Sequence, residues 1–297
     1  MRWAPEPRVK LGQKTMVTPY QGSNFSEMSS LMKDGSDHKL KLANRVAIVT
    51  GGGHGIGKAI AVTLAQHGAK LMICGRQQEL LETAMREIEA TGTEAAMSIT
   101  DVSDEAQVQA LVSSTIQRFG RIDILINNAG VVGPTAPVSA VTRAEWDEVM
   151  AVNLTGAFLC AKAVIPHLIQ QRSGKIVNIS SIAGKLAYAL RSPYAASKWG
   201  MLGLSQTLAL ELGPHNVQVN AVCPGPTAGD RMQSVISKRA LELGLPEQDV
   251  AKLYVEGTAL KRMVDPGHVA ATVLFLASSD SDSITGEAWD VSAGYAL

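Results

Sequence analysis

From Arg45 onward, short β-branched runs alternate with helical patterns at a steady spacing, and this alternation limits the fold more than any other feature. RVAIVT at 45–50 reads as a buried strand, followed by a glycine-rich turn and the helix IGKAIAVTLAQHG. KLMIC at 70–74 reads as the second strand, followed by the amphipathic QQELLETAMREIEATG. The unit recurs through AAMSITD, DEAQVQALVSSTIQRFG, DILINNAG, a long helix through WDEVMAVNLTGAFLCAKAVIPHLIQ, KIVNISS, a helix through YAASKWGMLGLSQTLALEL, and VQVNAVCPG. Strands separated by helices need crossover connections, which give a mostly parallel sheet covered on both faces. The expected fold is therefore α/β, a doubly wound parallel sheet.

Two stretches depart from this rhythm. Residues of about 226–262 carry many charges and no strand pattern, and read as a helical substrate-loop excursion near the strand ends, where lids sit. Asp265 and Pro266 then supply an N-cap and a proline at the first helical position for VAATVLFLAS, and AWDV makes a last strand. Residues 1–42 show Pro5, Pro7, Pro19, scattered Ser and Gly, and no sustained period. They are expected to form an N-terminal extension or docking arm, with 43–297 as a single Rossmann-fold domain. MRWAPEPRVKLGQKTMVTPY lacks the apolar segment of a secretory signal.

Composition narrows the function classes. Apolar residues make up 46% and charged ones 18%, enough apolar material for a sizeable core. Twenty-seven basic residues balance 27 acidic ones, so no long-range field steers the chain to nucleic acid or anionic membrane, and neither partner is expected. No uninterrupted apolar run reaches the ~18 residues that span a bilayer. Cys74, Cys160 and Cys223 are widely spaced and odd in number, which points to reduced thiols in a soluble, cytoplasmic protein. Six histidines show no ligand spacing, and no metal site is expected.

Thr50-Gly51-Gly52-Gly53-His54-Gly55-Ile56-Gly57 follows the first strand and opens the first helix. Gly51, Gly55 and Gly57 remove side chains where backbone must approach a pyrophosphate, and the helix N-terminus offers free N–H groups and partial positive charge. The second strand ends on Gly75-Arg76, where an acidic residue would favour NAD(H). A guanidinium there can pair with a 2′-phosphate, and His54 adds a weak donor. NADP(H) is the expected cofactor, with NAD(H) as the alternative.

Tyr194 and Lys198 stand i, i+4 on a helix, so both side chains emerge on one face. An ammonium beside a phenol favours phenolate, which general acid/base work requires. Ser181 ends KIVNISS, 13 residues before Tyr194, so a strand-end hydroxyl can return to the same crevice.

The GxxxGxG spacing, Asp101-Val102, Asn127-Asn128-Ala129-Gly130, Asn153, Ser181, Tyr194-Ala195-Ala196-Ser197-Lys198 and Pro224-Gly225 occur in the order and spacing of one family. Across 45–294 the chain resembles the compact, single-domain branch of the short-chain dehydrogenase/reductase family. The resemblance implies that Gly51, Gly53, His54, Gly55, Ile56 and Gly57 cradle a dinucleotide and that Asp101 and Val102 lie against its adenine. Asn128, Ala129 and Gly130 would line it, and Pro224, Gly225 and Thr227 would meet its nicotinamide side. It further implies that Ser181 orients the substrate oxygen, Tyr194 gives or takes its proton, and Lys198 tunes Tyr194 and holds the nicotinamide ribose. Asn153 would bend its helix and bind a relay water. A homotetramer built through the long helices around Asn153 and Tyr194 and the C-terminal region is implied as well.

The reaction that follows is hydride transfer between nicotinamide and a secondary alcohol or ketone. Other readings are an NAD(H)-dependent alcohol or polyol dehydrogenase, an idle cofactor-binding scaffold, and epimerase or dehydratase chemistry on the same fold. Epimerases and dehydratases usually carry a longer substrate domain, for which the chain has no room. Lys185, Arg191 and Arg231 border the expected active-site mouth, and the Ala, Leu, Met and Tyr of 184–193 and 226–262 suit an apolar substrate body.

Overall fold

The structure, a computed structural model, describes residues 40–296. Most of the expected arm lies outside the described residues. The packed unit begins at Leu40, and Leu42 is already buried in the core.

Seven parallel strands form one sheet in the order β3-β2-β1-β4-β5-β6-β7. They are β1 (Val46–Thr50), β2 (Lys70–Gly75), β3 (Ala95–Ile99), β4 (Ile124–Asn127), β5 (Gly174–Ile179), β6 (Val217–Pro224) and β7 (Ala288–Val291). The helices are α1 (Gly55–Gln66), α2 (Gln78–Glu89), α3 (Glu105–Phe119), α4 (Arg143–Met150), α5 (Gly156–Gln171), α6 (Ser192–Leu212), α7 (Asp230–Leu243), α8 (Glu247–Glu256) and α9 (Pro266–Ala277). Every strand expected from the pattern is present.

The central strands are buried on both faces, which is why they read as continuous apolar runs rather than alternating ones. Along β1, Ala47 and Val49 join the core under α1 and α9, while Ile48 points to the core under α3, α5 and α6. In β4, Ile124 and Ile126 take the first side and Leu125 the second. Each of these Val, Ile and Leu side chains contributes about 1.5–3 kcal/mol on burial. Asp104 caps α3 by accepting from the Ala106 and Gln107 amides, and Asp265 caps α9 by accepting from the Gly267 amide, with Pro266 at the first turn.

A continuous helical run spans 143–171, with one wide π turn, Ala151–Thr155, between α4 and α5. By length and composition this run could cross a membrane, although charged residues such as Asp147, Glu148 and Lys162 interrupt it. Its most apolar window is 56% buried, however, and Leu159, Cys160, Val164 and Leu168 pack against the sheet. The excursion after β6 folds as α7 and α8 around a small core of its own, Val235, Ile236, Ala240, Val250 and Tyr254.

The strand order reverses between β1 and β4. At such a switch point the loops beyond the strand ends diverge and leave a crevice.

Candidate active site

The crevice is a cavity of about 540 Å³ at the C-terminal ends of β1, β4, β5 and β6. Thr50 ties its floor together. This buried last residue of β1 accepts the Asn128 and Ala129 amides on Oγ1 at 3.0 Å each and donates to the Ile126 carbonyl at 3.3 Å. The Asn128 side-chain amide donates to the carbonyls of Thr50 and Gly51 at 2.9 and 3.2 Å. The GxxxGxG spacing does not mark Thr50 as a site residue; its place at the strand end, just before the glycines, is the available signal.

Gly51, with φ +63°, turns the chain away from the sheet, and a Cβ at Gly57 would collide with the Gly51 carbonyl and the Asn128 amide. Gly51, His54, Gly55, Ile56 and Gly57 line the cavity together with Asn128, Ala129 and Gly130. Gly53 does not: a Cβ there would stand 3.1 Å from the Leu80 backbone, so its bareness lets the turn pack on α2. Burial, reinforced by Arg231, pushes the His54 imidazole below its ordinary value, so the neutral ring is favoured.

Arg76, Asp101 and Val102 lie apart from this cavity. Arg76 is exposed, with Nη1 3.7 Å from Asp101 Oδ2. Asp101 accepts from the Ser103 hydroxyl and amide, and these bonds, with Arg76 as a lesser cause, hold its carboxyl below the usual range. Val102 is buried against Gly156.

Ser181, Tyr194 and Lys198 do converge on the cavity, with Pro224, Gly225 and Thr227 on the same wall. Ser181 caps a short 3₁₀ turn by accepting the Ala183 amide on Oγ at 3.1 Å, which leaves its own proton to donate. Lys198 is buried, its Nζ donating to the Ile179 carbonyl at 2.7 Å and lying 5.8 Å from the Tyr194 ring centroid. Burial, with Arg231 adding repulsion, pushes its ammonium down to about 7.

Asn153 stays off the wall. From the π turn it donates to the Val131 carbonyl at 3.0 Å and the Ser197 hydroxyl at 3.1 Å, and accepts the Val131 amide at 2.7 Å. Ser197 in turn donates to the Tyr194 carbonyl at 2.8 Å.

Among the three cations expected at the mouth, Lys185 turns away to Asp290 at 2.7 Å and the Ala288 carbonyl, because β7 lies beside it. Arg191 and Arg231 remain on the cavity wall. Beside Arg191, Tyr188 and Tyr254 share a hydroxyl hydrogen bond of 2.6 Å, and Arg239 donates to Tyr254 at 3.2 Å. Their pairing across α8 and the loop before α6 carries no sequence motif.

This arrangement can hold an anionic dinucleotide along bare backbone and present a hydroxyl, a phenol and an ammonium to a second molecule. Residues 45–240 match the family model for short chain dehydrogenase. The chain is 36% identical over 256 residues to levodione reductase of Leifsonia aquatica, covering 86% of this chain and 95% of that protein. It is 34% identical over 258 residues to the 3-oxoacyl-(acyl-carrier-protein) reductase of Thermotoga maritima, covering 87% and 100%. Among solved structures, an NAD⁺-bound xylitol dehydrogenase matches with a TM-score of 0.83 at 33% identity, over 86% of this chain and 100% of that one. An actinorhodin polyketide ketoreductase variant with NADPH matches at 0.82 and 33%, over 85% and 97%. The chain belongs to the short-chain dehydrogenase/reductase family. It is a nicotinamide-dependent oxidoreductase acting on CH–OH and C=O groups.

Proposed function

We propose that the protein interconverts a ketone and a secondary alcohol with NADP(H), using Tyr194 as general acid/base. The observation that carries this reading is that Ser181, Tyr194 and Lys198 line the same cavity as the glycine turn. The turn suits a dinucleotide: no heavy atom lies within 4 Å of a Cβ built on Gly55, so its outer surface is bare, and Gly55, Ile56 and Gly57 at the start of α1 line the cavity. Gly51, Gly55, Ile56, Gly57 and Asn128 to Gly130 would hold the cofactor, with Thr227 toward the nicotinamide. Bound nicotinamide supplies or accepts the hydride.

The chain's own groups handle the proton. Ser181 donates a hydrogen bond to the substrate oxygen, and Tyr194 delivers its phenolic proton to that oxygen as charge develops there. Lys198 in its ammonium form supports the phenolate left behind. Asn153 is a positioning residue: its bonds to Val131 and Ser197 fix the start of α6, on which Tyr194 stands. Arg76 would meet the 2′-phosphate, since its long contact to Asp101 leaves most of its donors free. Exposed Phe158, Trp199 and Leu210 on α5 and α6 support a homotetramer built through those helices.

The relatives' names point to a dione, a 3-oxoacyl carrier and a polyol, which have the C=O/CH–OH pair in common. A turnover screen of ketones and alcohols with NADPH, NADP⁺, NADH and NAD⁺ tests the reading. The expected result is at least tenfold higher kcat/KM with the 2′-phosphorylated form. A tenfold preference for NADH overturns the role of Arg76, and failure with every pair points to an idle binding protein.

A further inference from the structure

A buried guanidinium without a counter-ion stands beside Tyr194. Arg191 is only 2% exposed yet lines the cavity, with its guanidinium carbon 5.4 Å from the Tyr194 ring centroid and 5.9 Å from that of Tyr188. Its Nη1 donates to Thr135 Oγ1 at 3.1 Å and its Nη2 to the Val132 carbonyl at 2.8 Å, both neutral acceptors. A guanidinium has five N–H donors, so others remain, and the buried Nε has no partner. Among the described residues no carboxylate forms an ion pair with Arg191, whereas Lys175 and Lys185 pair with Asp282 and Asp290.

A charge buried without a counter-ion is costly, and desolvation accordingly pushes Arg191 below its ordinary range. A brace between α6 and the Val132–Thr135 loop does not require that cost, because a neutral glutamine could donate to the same two acceptors. The surrounding wall deepens the imbalance: it carries Lys198 and Arg231 against Asp230 as its acid among the described residues. Arg231 stands next to Gly130, its Nη2 3.9 Å from where a Cβ would sit, and so belongs with the dinucleotide end. Arg191, next to the phenol, is the cation left for the substrate.

We propose that Arg191 binds a carboxylate of the substrate, which is therefore an oxo acid or hydroxy acid with its carboxylate one or two carbons from the reacting carbon. The inference rests on Tyr194 marking the reacting end of the cavity. The planar fork, with Nε still free, matches the two oxygens of a carboxylate, and the 5.4 Å between guanidinium and phenol ring sets the short reach.

Calorimetric titration of the enzyme saturated with its tighter-binding oxidised dinucleotide tests this. The probes are 2-oxobutanoate and 3-oxobutanoate, the primary amide of each, and acetonylphosphonate. At least one acid should bind tenfold or more tightly than its amide, and Arg191→Gln should bring that ratio to within about threefold of one, with Arg191→Lys in between. Equal binding of acids and amides, or an acid preference that survives in Arg191→Gln, overturns the proposal. Tighter binding of the phosphonate than of either acid overturns it in favour of a phosphate-bearing substrate. Melting curves accompany the variants; if Arg191→Gln does not fold, the acid–amide comparison in the wild-type enzyme decides alone. Turnover of neutral ketones without any acid preference would sink the carboxylate while leaving the oxidoreductase standing, whereas loss of dinucleotide binding would sink both.

Discussion

At the end proposed for the dinucleotide, the cavity wall is mostly backbone: Gly51, Gly55 and Gly57 of the turn and the start of α1, and the Asn128–Gly130 segment laced to Thr50. At the substrate end it is mostly side chain: Tyr188, Arg191, Tyr254 and Tyr295, contributed by loops and by helices that pack on a small separate core. Backbone walls are set by strand order and by which positions lack a Cβ, so one added methyl group closes them. Side-chain walls depend on which loops meet, and they tolerate replacement as long as the helices behind them stay packed. The same chain thus combines an end with little freedom to vary and an end on which specificity can be rebuilt.

The sharpest way to break this contrast is at Gly57. Gly57→Val places carbon against the Gly51 carbonyl and the Asn128 amide, and is expected to weaken NADPH binding at least about 100-fold, about 2.7 kcal/mol, read from fluorescence titration. Binding within threefold of wild type would show that the turn can relax and that its backbone is not the determining wall.

Lys198, at the seam between the two ends, gives a pH signature. Unfolded, its ammonium keeps a proton to near pH 10.4; folded without ligand, it releases that proton near 7. Between those values the unfolded state binds more protons, so folding stability rises with pH, and below about 7 the cost of burying the ammonium is fully present. Denaturation midpoints of wild type and Lys198→Met from pH 6 to 10 should therefore diverge, with a relative gain for the wild type of up to about 1.4 kcal/mol per pH unit. Parallel curves would place the Lys198 proton elsewhere.

The smallest effect belongs to the substrate end. Tyr254→Phe removes the bond to Tyr188 and the Arg239 acceptor, a loss of about 1 kcal/mol that should lower the Tm by about 2–4 °C. NADPH affinity should stay within twofold. A large change in that affinity would mean the two ends are coupled rather than independently built.

The same division explains what could be read from the chain alone. The central strands were legible because burial on both faces turns each into an apolar run, the half-exposed edge strands β3 and β7 through their place in the alternation, and the glycine turn because a missing Cβ is visible in sequence. Helical spacing puts Tyr194 and Lys198 on one face, but only their coincidence with Ser181 and the family motifs singles them out. Spacing does not show that Gly53 faces α2 rather than the cavity, that Lys185 is taken by Asp290, or that Arg76 and Asp101 approach each other across neighbouring strands. Nor does it show the Tyr188–Tyr254 bond, which joins residues 66 positions apart. In each case the outcome depends on which side chains a loop brings within a few ångströms. Asn153 lies between these extremes: its importance follows from the family resemblance, but its partners Val131 and Ser197 emerge only once the π turn has formed.

Tyr194 is proposed to move the proton, while the glycine turn and the Asn128–Gly130 segment hold most of the dinucleotide. The most direct measurement is single-turnover oxidation of bound NADPH by a reducible carbonyl substrate, in wild type and Tyr194→Phe, with NADPH affinity determined for both. A rate about 10³-fold lower in the variant, at a cofactor affinity within threefold, is the predicted result. A variant that turns over within tenfold of wild type would contradict it.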